Sequence, residues 1–265
     1  MNGDGMNSAL VDLANRAANN DQESLVRLMA ASQSNETRAD ASLLLGQLFD
    51  SPSPLQSNLP PDQSEARRFY LIAAEAGLPL AQLCVGNMFD YGEGGAQDFE
   101  QARYWYAAAA ENGVRDAQMH LGRMLEQGRG GPKDTELAAQ WYMKAVEQGD
   151  ELAATNLAAL HLRGDIHDPD NDLALSLLQF SAEKLDGLAH LTIGSLYVEG
   201  KVLEQDGWRA LHHTFIASLL LPPGPNRDMA IDRRERVLGR SPEHRKTFEE
   251  LALAYISEHG GSLSA

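Results

Sequence analysis

The feature that most restricts this chain is a period of 36 residues. Setting Ala81 against Ala117 brings Gly86 opposite Gly122, Gly92 opposite Gly128, Asp98 opposite Asp134, Ala102 opposite Ala138, Trp105-Tyr106 opposite Trp141-Tyr142, Ala109 opposite Ala145 and Gly113 opposite Gly149. The same step forward reaches Ala153 and Ala189, with Gly164 and Gly200, Asp170 and Asp206, and Ala174 and Ala210 in register. Backward it fits after a four-residue insertion, which places Ala41, Gly46, Asp62, Ala66, Phe69-Tyr70 and Gly77. A unit of this length cannot bury an apolar face alone. Its copies must stack, and a fixed period near 35 residues predicts an array of helix pairs.

Within one unit, Ala81, Val85 and Phe89 recur at helical spacing and Gly92 follows where a left-handed residue ends a helix. Asp98 then stands where a carboxylate accepts the free N–H groups of a second helix. Ala102, Trp105, Tyr106, Ala109 and Gly113 share one face of that helix, small residues admitting the partner backbone and aromatics filling the remaining space. Before the array, residues 7–19 and 22–33 carry helical apolar spacing and read as an N-terminal cap. The boundaries are therefore 1–40 for the capping helices, 41–221 for five repeats starting near Ala41, Ala81, Ala117, Ala153 and Ala189, and 222–265 for C-terminal capping helices.

The pattern A-x-x-x-L/V-G-x-x-Y/F/L-x-x-G, a short loop, then D-x-x-x-A-x-x-W-Y-x-x-A-A-x-x-G resembles the Sel1-like repeat, a branch of the tetratricopeptide superfamily. The resemblance covers about residues 41–221. It implies an all-α fold, a right-handed α-solenoid of about five antiparallel helix-pair repeats whose first helices line a concave face. It also implies a non-catalytic scaffold or adaptor for a protein or peptide partner. The pattern weakens in the fourth and fifth units, where Trp-Tyr becomes Leu177-Leu178 and His213-Thr214 and the second small position of the fourth unit is Ala158. Cysteine-rich relatives are associated with β-lactam binding, but Cys84 is the only cysteine here, so a hydrolase of that type is a distant alternative. A regulatory or sensor subunit of a signalling or envelope-related complex is the nearer one.

Charge narrows the partners. With 38 acidic against 22 basic residues and a net charge of −16, most of the surface repels a phosphate backbone, so no nucleic acid is expected and the partner should be neutral or basic. A single cysteine forms no internal disulfide, which suits a reducing compartment. No apolar run approaches a membrane span and no leader pattern opens the chain, so a cytoplasmic protein is expected.

No motif of a nucleophile, phosphate loop or zinc protease occurs, and neither an enzyme nor a cofactor is expected. The loop HLRGDIHDPDNDLA gathers His161, Asp165, His167, Asp168, Asp170 and Asp172, yet as a calcium loop it has Leu173 where glycine is required. Asp170 is better read as a helix cap, and no metal is expected. His212 and His213 are adjacent on a helix, about 100° apart, which predicts one in the core and one in solvent.

The partner face follows from angular arithmetic on the first helix of each unit. Offsets 2, 6 and 9 from the leading alanine turn away from the core, which selects Leu83, Asn87, Asp90 and Met119, Arg123, Glu126 in the second and third units. The same offsets give Thr155, Ala159, Leu162 and Leu191, Ser195, Val198 in the next two. Such a surface has a polar and an apolar end and suits an extended peptide or helix. The insertion SPSPLQSNLPP after Asp50 should extend outward without helix and is a second candidate. Residues 226–246 carry seven Lys or Arg against four Asp or Glu, with Met229, Val237 and Leu238 as a partial apolar stripe, and a last helix should start at Ser241-Pro242-Glu243.

Overall fold

The computed structural model describes residues 8–19, 21–50, 61–239 and 244–259. Among these residues lie fourteen α-helices and no strand. They are α1 (Ser8–Ala18), α2 (Gln22–Ala31), α3 (Arg38–Asp50), α4 (Gln63–Glu75), α5 (Pro79–Tyr91), α6 (Phe99–Glu111) and α7 (Arg115–Gln127), followed by α8 (Thr135–Glu147), α9 (Glu151–Arg163), α10 (Asn171–Glu183), α11 (Gly187–Glu199), α12 (Gly207–Leu220), α13 (Pro225–Leu238) and α14 (Arg245–Glu258). The insertion SPSPLQSNLP and the Ser241-Pro242-Glu243 start fall outside the described residues.

The period is visible in the helix boundaries. From α5 on, first helices begin at Pro79, Arg115, Glu151 and Gly187, and second helices at Phe99, Thr135, Asn171 and Gly207, 36 residues apart each time. Gly92, Gly128, Gly164 and Gly200 end the first helices with φ between +67° and +76°, the left-handed region where a Cβ is strained. Asp62, Asp98, Asp170 and Asp206 each accept two N–H groups of the second helix they precede; for Asp98 both bonds are 3.0 Å.

The chain packs as two units, residues 1–134 and 135–265. In the first, α1 to α7 surround a core of Leu28, Leu45, Phe69, Tyr70, Val85 and Met88. The two helices of a pair meet through a glycine and a tyrosine. A Cβ on Gly46 would lie 2.5 Å from the Tyr70 ring, and one on Gly86 2.7 Å from the Tyr106 ring, closer than any real contact. Successive pairs are joined by polar locks at the repeat step. Arg67 donates to the carbonyls of Glu93 and Ala96 and lies over the Phe89 ring, and Arg103 donates to Pro132 O at 3.0 Å. Gln82 and Gln118, both buried, donate to Ala74 O and Ala110 O at the ends of the preceding helices.

The second unit uses the same plan with other side chains. The α9–α10 pair has Ala158 at the glycine register and Leu178 at the tyrosine register, both fully buried. A flat ring is gone, so a methyl group is accommodated. In α11–α12, a Cβ on Gly194 would meet Thr214 Cγ2 at 2.9 Å. No arginine stands at the lock register here; Thr135 Oγ1 donates to Asp165 O and the His167 N–H to Glu136 instead. Trp141 is only half-buried, with the Lys144 ammonium 3.7 Å above its ring, and Tyr142 is the aromatic in the core. Helices α13 and α14 bury Ala230, Leu238, Phe248, Ala252 and Ile256 against α12 and its neighbours. Ala230 takes the place expected for Met229, which is exposed because it lies one residue, about 100°, off that face.

His190 occupies the register of Gln82 and Gln118 and makes the same bond, Nε2 to Ala182 O at 3.2 Å. With Nε2–H committed there, Nδ1 accepts, and His213 Nδ1 lies 2.9 Å from it. His212 and His213 are both half-buried, contrary to the division between core and solvent, because Tyr255 of α14 covers His212 and Tyr197 stacks on His213. Burial pushes the pKa of His190 and His213 below the usual imidazole range, and the proximity of other imidazoles adds to it.

Two outcomes follow. Gly86→Ala should lose about 1–3 kcal/mol by overpacking, and adding Tyr106→Leu, the fourth unit's pairing, should recover part of it. Chemical denaturation checks this, and a Gly86→Ala protein as stable as wild type would contradict it. The unfolded chain takes up protons near pH 6.5 that folded His190 and His213 refuse until the pH is far lower. Stability from these groups therefore falls as pH drops from 6.5 towards 4, by up to roughly 1.4 kcal/mol per pH unit for each imidazole. His190→Gln keeps the bond to Ala182 and should flatten the dependence of Tm on pH in this window; an unchanged slope would contradict the assignment.

Candidate partner-binding face

In the first unit, α5 and α7 bring the six selected positions onto neighbouring helices, but not all of them reach solvent. Leu83, Asn87, Arg123 and Glu126 are half-buried and keep an open side. Asp90 and Met119 are buried. The Asp90 side chain has no exposed surface and is held by Arg129 at 2.6 Å and Arg123 at 3.2 Å. Asp90 therefore does not present itself to a partner; it fixes two guanidinium groups that are 28% and 30% exposed. The reason is geometric. Asp90 sits in the last turn of α5, where α7 passes within side-chain reach, and an isolated buried carboxylate would be far too costly without cationic partners. Arg129 was not among the expected residues. Its signal is an arginine directly after the helix-ending Gly128, where the other first helices have Glu93, Asp165 and Lys201.

Around this ion cluster the side chains are held from several directions. Arg123 approaches His120 Nδ1 at 3.1 Å, and the His120 ring stacks on Tyr106 with centroids 5.0 Å apart. Burial first, and the Arg123 charge second, push the His120 pKa down to about 4, so at neutral pH this imidazole is uncharged and accepts from the guanidinium. Tyr106 donates to Asn87 Oδ1 at 2.7 Å, so the tyrosine that fills the glycine notch also orients a residue of the face. Arg129 lies over the Phe99 ring at 4.1 Å. The result is a surface of fixed charges and dipoles.

In the second unit, Leu162 is half-buried and Val198 exposed, whereas Leu191 is buried and Thr155 is buried and donates to Asp186 at 2.5 Å. Val198 stands at the rim of a cavity between α11, α12 and α13. Among the described residues no group of three His, Cys, Asp or Glu is placed to hold a metal ion. His161 is buried and its Nδ1 accepts the Asp170 N–H at 2.9 Å, so it shapes the loop that Asp170 then closes as a cap. The half-buried Cys84 thiol is pushed up to about 11 by burial and by the Asp50 charge, and is protonated at neutral pH.

A model of the Sel1 repeat matches residues 39–78, 79–114, 115–150 and 152–184. Helices α11 and α12 lie beyond these matches but keep the period, the left-handed Gly200 and the capping Asp206. Among solved structures, a Sel1 repeat protein from Oxalobacter formigenes is similar over 100% of both chains, with 22% identity and a TM-score of 0.69. A Sel1 repeat protein from Klebsiella pneumoniae is 21% identical, with 78% of this chain and 98% of that one covered and a TM-score of 0.46. An immunity protein from Pseudomonas aeruginosa is 17% identical over 84% of this chain and 83% of its own, with a TM-score of 0.43. At such identities the likeness concerns the fold alone. No curated relative matches the sequence.

The buried carboxylate makes the face sensitive to change beneath it. Asp90→Ala should cost toward the lower end of the roughly 3–5 kcal/mol typical of breaking a buried pair, because both arginines retain some solvent. Arg123→Glu, which sets a second carboxylate against Asp90, should destabilise more than Arg123→Ala. Thermal melts of the three variants check the order, and an Arg123→Glu protein melting like wild type would contradict the burial of Asp90.

Proposed function

This chain belongs to the Sel1 repeat family, whose members generally mediate contacts between proteins, and we propose that it is a non-catalytic scaffold that holds a protein or peptide partner on the α5–α7 face. The observation that carries the reading is the preorganised polar cluster, where buried Asp90 fixes Arg123 and Arg129 while Leu83, Asn87 and Glu126 stay accessible beside them. Groups already locked before binding lose little side-chain entropy on association, which favours affinity. The face is close to neutral, Asp90 and Glu126 against two arginines, while the chain as a whole carries −16, so a neutral or basic partner is favoured. The protonated Cys84 fits a binding role better than a nucleophilic one. No described helix is long and apolar enough to cross a membrane.

Immobilised full-length protein should retain a discrete partner from lysate. Leu83→Lys, which leaves the buried pairs intact, should weaken its retention with little change in Tm, while Asp98→Ala should lose about 1 kcal/mol of stability and keep the partner. Undiminished retention by Leu83→Lys would place the contact elsewhere.

A further inference from the structure

Three departures from the repeat meet where the last helix docks. At the register of Gly77, Gly113 and Gly149, whose φ values of +81° to +90° are left-handed, stands Leu185, also left-handed at +63°. His190 replaces Gln82 and Gln118, and His213 replaces Trp105 and Trp141. A leucine in that conformation is strained and is kept there by its packing. Leu185 packs against the cluster that Phe248, Ala252 and Ile256 of α14 form with Phe215 and Ile216 of α12. Tyr255 of α14 closes the remainder: its ring meets His190 and His212 edge-on at 5.3 and 5.8 Å and stacks on His259 at 4.0 Å.

The contact between His190 and His213 has room for one proton. His190 Nε2–H is committed to Ala182 O, so Nδ1 accepts, and a proton added to it would set two N–H donors against each other at 2.9 Å. The charges that act on the two rings are those of His212, His259 and Arg209, all positive when protonated, whereas Glu183 of α10 acts on Tyr255. Tyr197 of α11 stacks on His213 and its hydroxyl accepts from Arg209, and from α13 Arg234 lies over Phe215 and pairs with Glu235.

Helix α14 is built to leave at low cost. Among its described residues it buries Phe248, Ala252 and Ile256. Its Tyr255 hydroxyl donates to Ala182 O, a carbonyl that keeps His190 as a donor when Tyr255 departs. Arg245, in the first turn, pairs with Glu235 of α13, and that hydrogen bond holds the Glu235 carboxyl below its usual range, so the near end stays tethered in acid. We infer that α14 is an acid-released latch: when a second proton enters the His190–His213 pair, Tyr255 gives way, the far end of α14 lifts off α12, and Phe215 and Ile216 are uncovered while α13 and residues 1–134 stay folded. The sign follows from burial. Docked, His190 is held down to about 4; uncovered, it regains the ordinary imidazole range near 6.5, so lowering the pH through this window favours the undocked form.

Amide hydrogen exchange of the full-length protein between pH 7 and 4, each rate divided by that of an unstructured peptide at the same pH, reads the opening. Protection of residues 245–258 should fall about tenfold or more between pH 7 and 5, with residues 115–127 and 225–238 unchanged and binding of an apolar dye rising in step. His190→Gln, which restores the residue of the second and third units and keeps the bond to Ala182, should hold that protection about tenfold above wild type at pH 5. If His190→Gln does not fold, His213→Gln, which removes the facing N–H, should likewise move release to lower pH. Phe248→Ala should loosen 245–258 already at pH 7 without loosening 115–127. Absence of protection in 245–258 at pH 7, no loss of it down to pH 4, loss in step with 115–127, or a wild-type acid response in the histidine variants would overturn the proposal.

Discussion

In the α3–α4 and α5–α6 pairs the contact between a first-helix glycine and a second-helix tyrosine sets how closely the helices pack, and much of the structure follows from this register. Where the ring of Tyr70 or Tyr106 lies flat on Gly46 or Gly86, the two backbones approach with no room for a methyl group. Close approach of this kind explains why alanines at 41, 66, 73, 81, 102 and 109 are buried beside the contact. It also explains a substitution inside the chain itself: once the fourth unit replaces the ring by Leu178, its partner position becomes Ala158. The repeat is thus a set of paired volumes, and either partner can change when the other does.

Apolar packing within pairs leaves open how one pair is held to the next, and polar side chains supply that link. In the first unit, Arg67, Arg103, Gln82 and Gln118 all bind backbone carbonyls of a neighbouring pair, and the bonds of Gln82 and Gln118 satisfy buried groups. Asp90 with Arg123 and Arg129 joins α5 to α7 by charge. The second unit solves the same problem with His190, Thr135 and Glu136. One consequence bears on the proposed function. The side chains that join the pairs also position the exposed groups, so the face proposed for a partner is ordered before any binding.

The sequence disclosed the helices far better than the surface. Period, glycine ends and aspartate caps are local chemistry, and they located both members of each helix pair because every copy had to satisfy the same backbone groups. Angular arithmetic on one helix, by contrast, treats everything off the core face as open. It correctly separated Leu83 and Asn87 from Val85, but it could not see that α7 covers the last turn of α5, and so it set Asp90 and Met119 outward. The pairing of Asp90 with Arg129 spans 39 residues, more than one period, and depends on the rotation between successive pairs. The same blindness applied to His212 and His213, whose surroundings are supplied by Tyr255 and Tyr197 from other helices.

The central claim is that the α5–α7 face is the surface on which this scaffold holds its partner. Amide hydrogen exchange of the full-length protein, alone and bound to the protein it retains, tests this most directly. The account predicts slowed exchange concentrated in residues 79–91 and 115–127, with the core amides of α4 and α6 unchanged. Protection confined to other helices, with 79–91 and 115–127 exchanging as in the free protein, would contradict it.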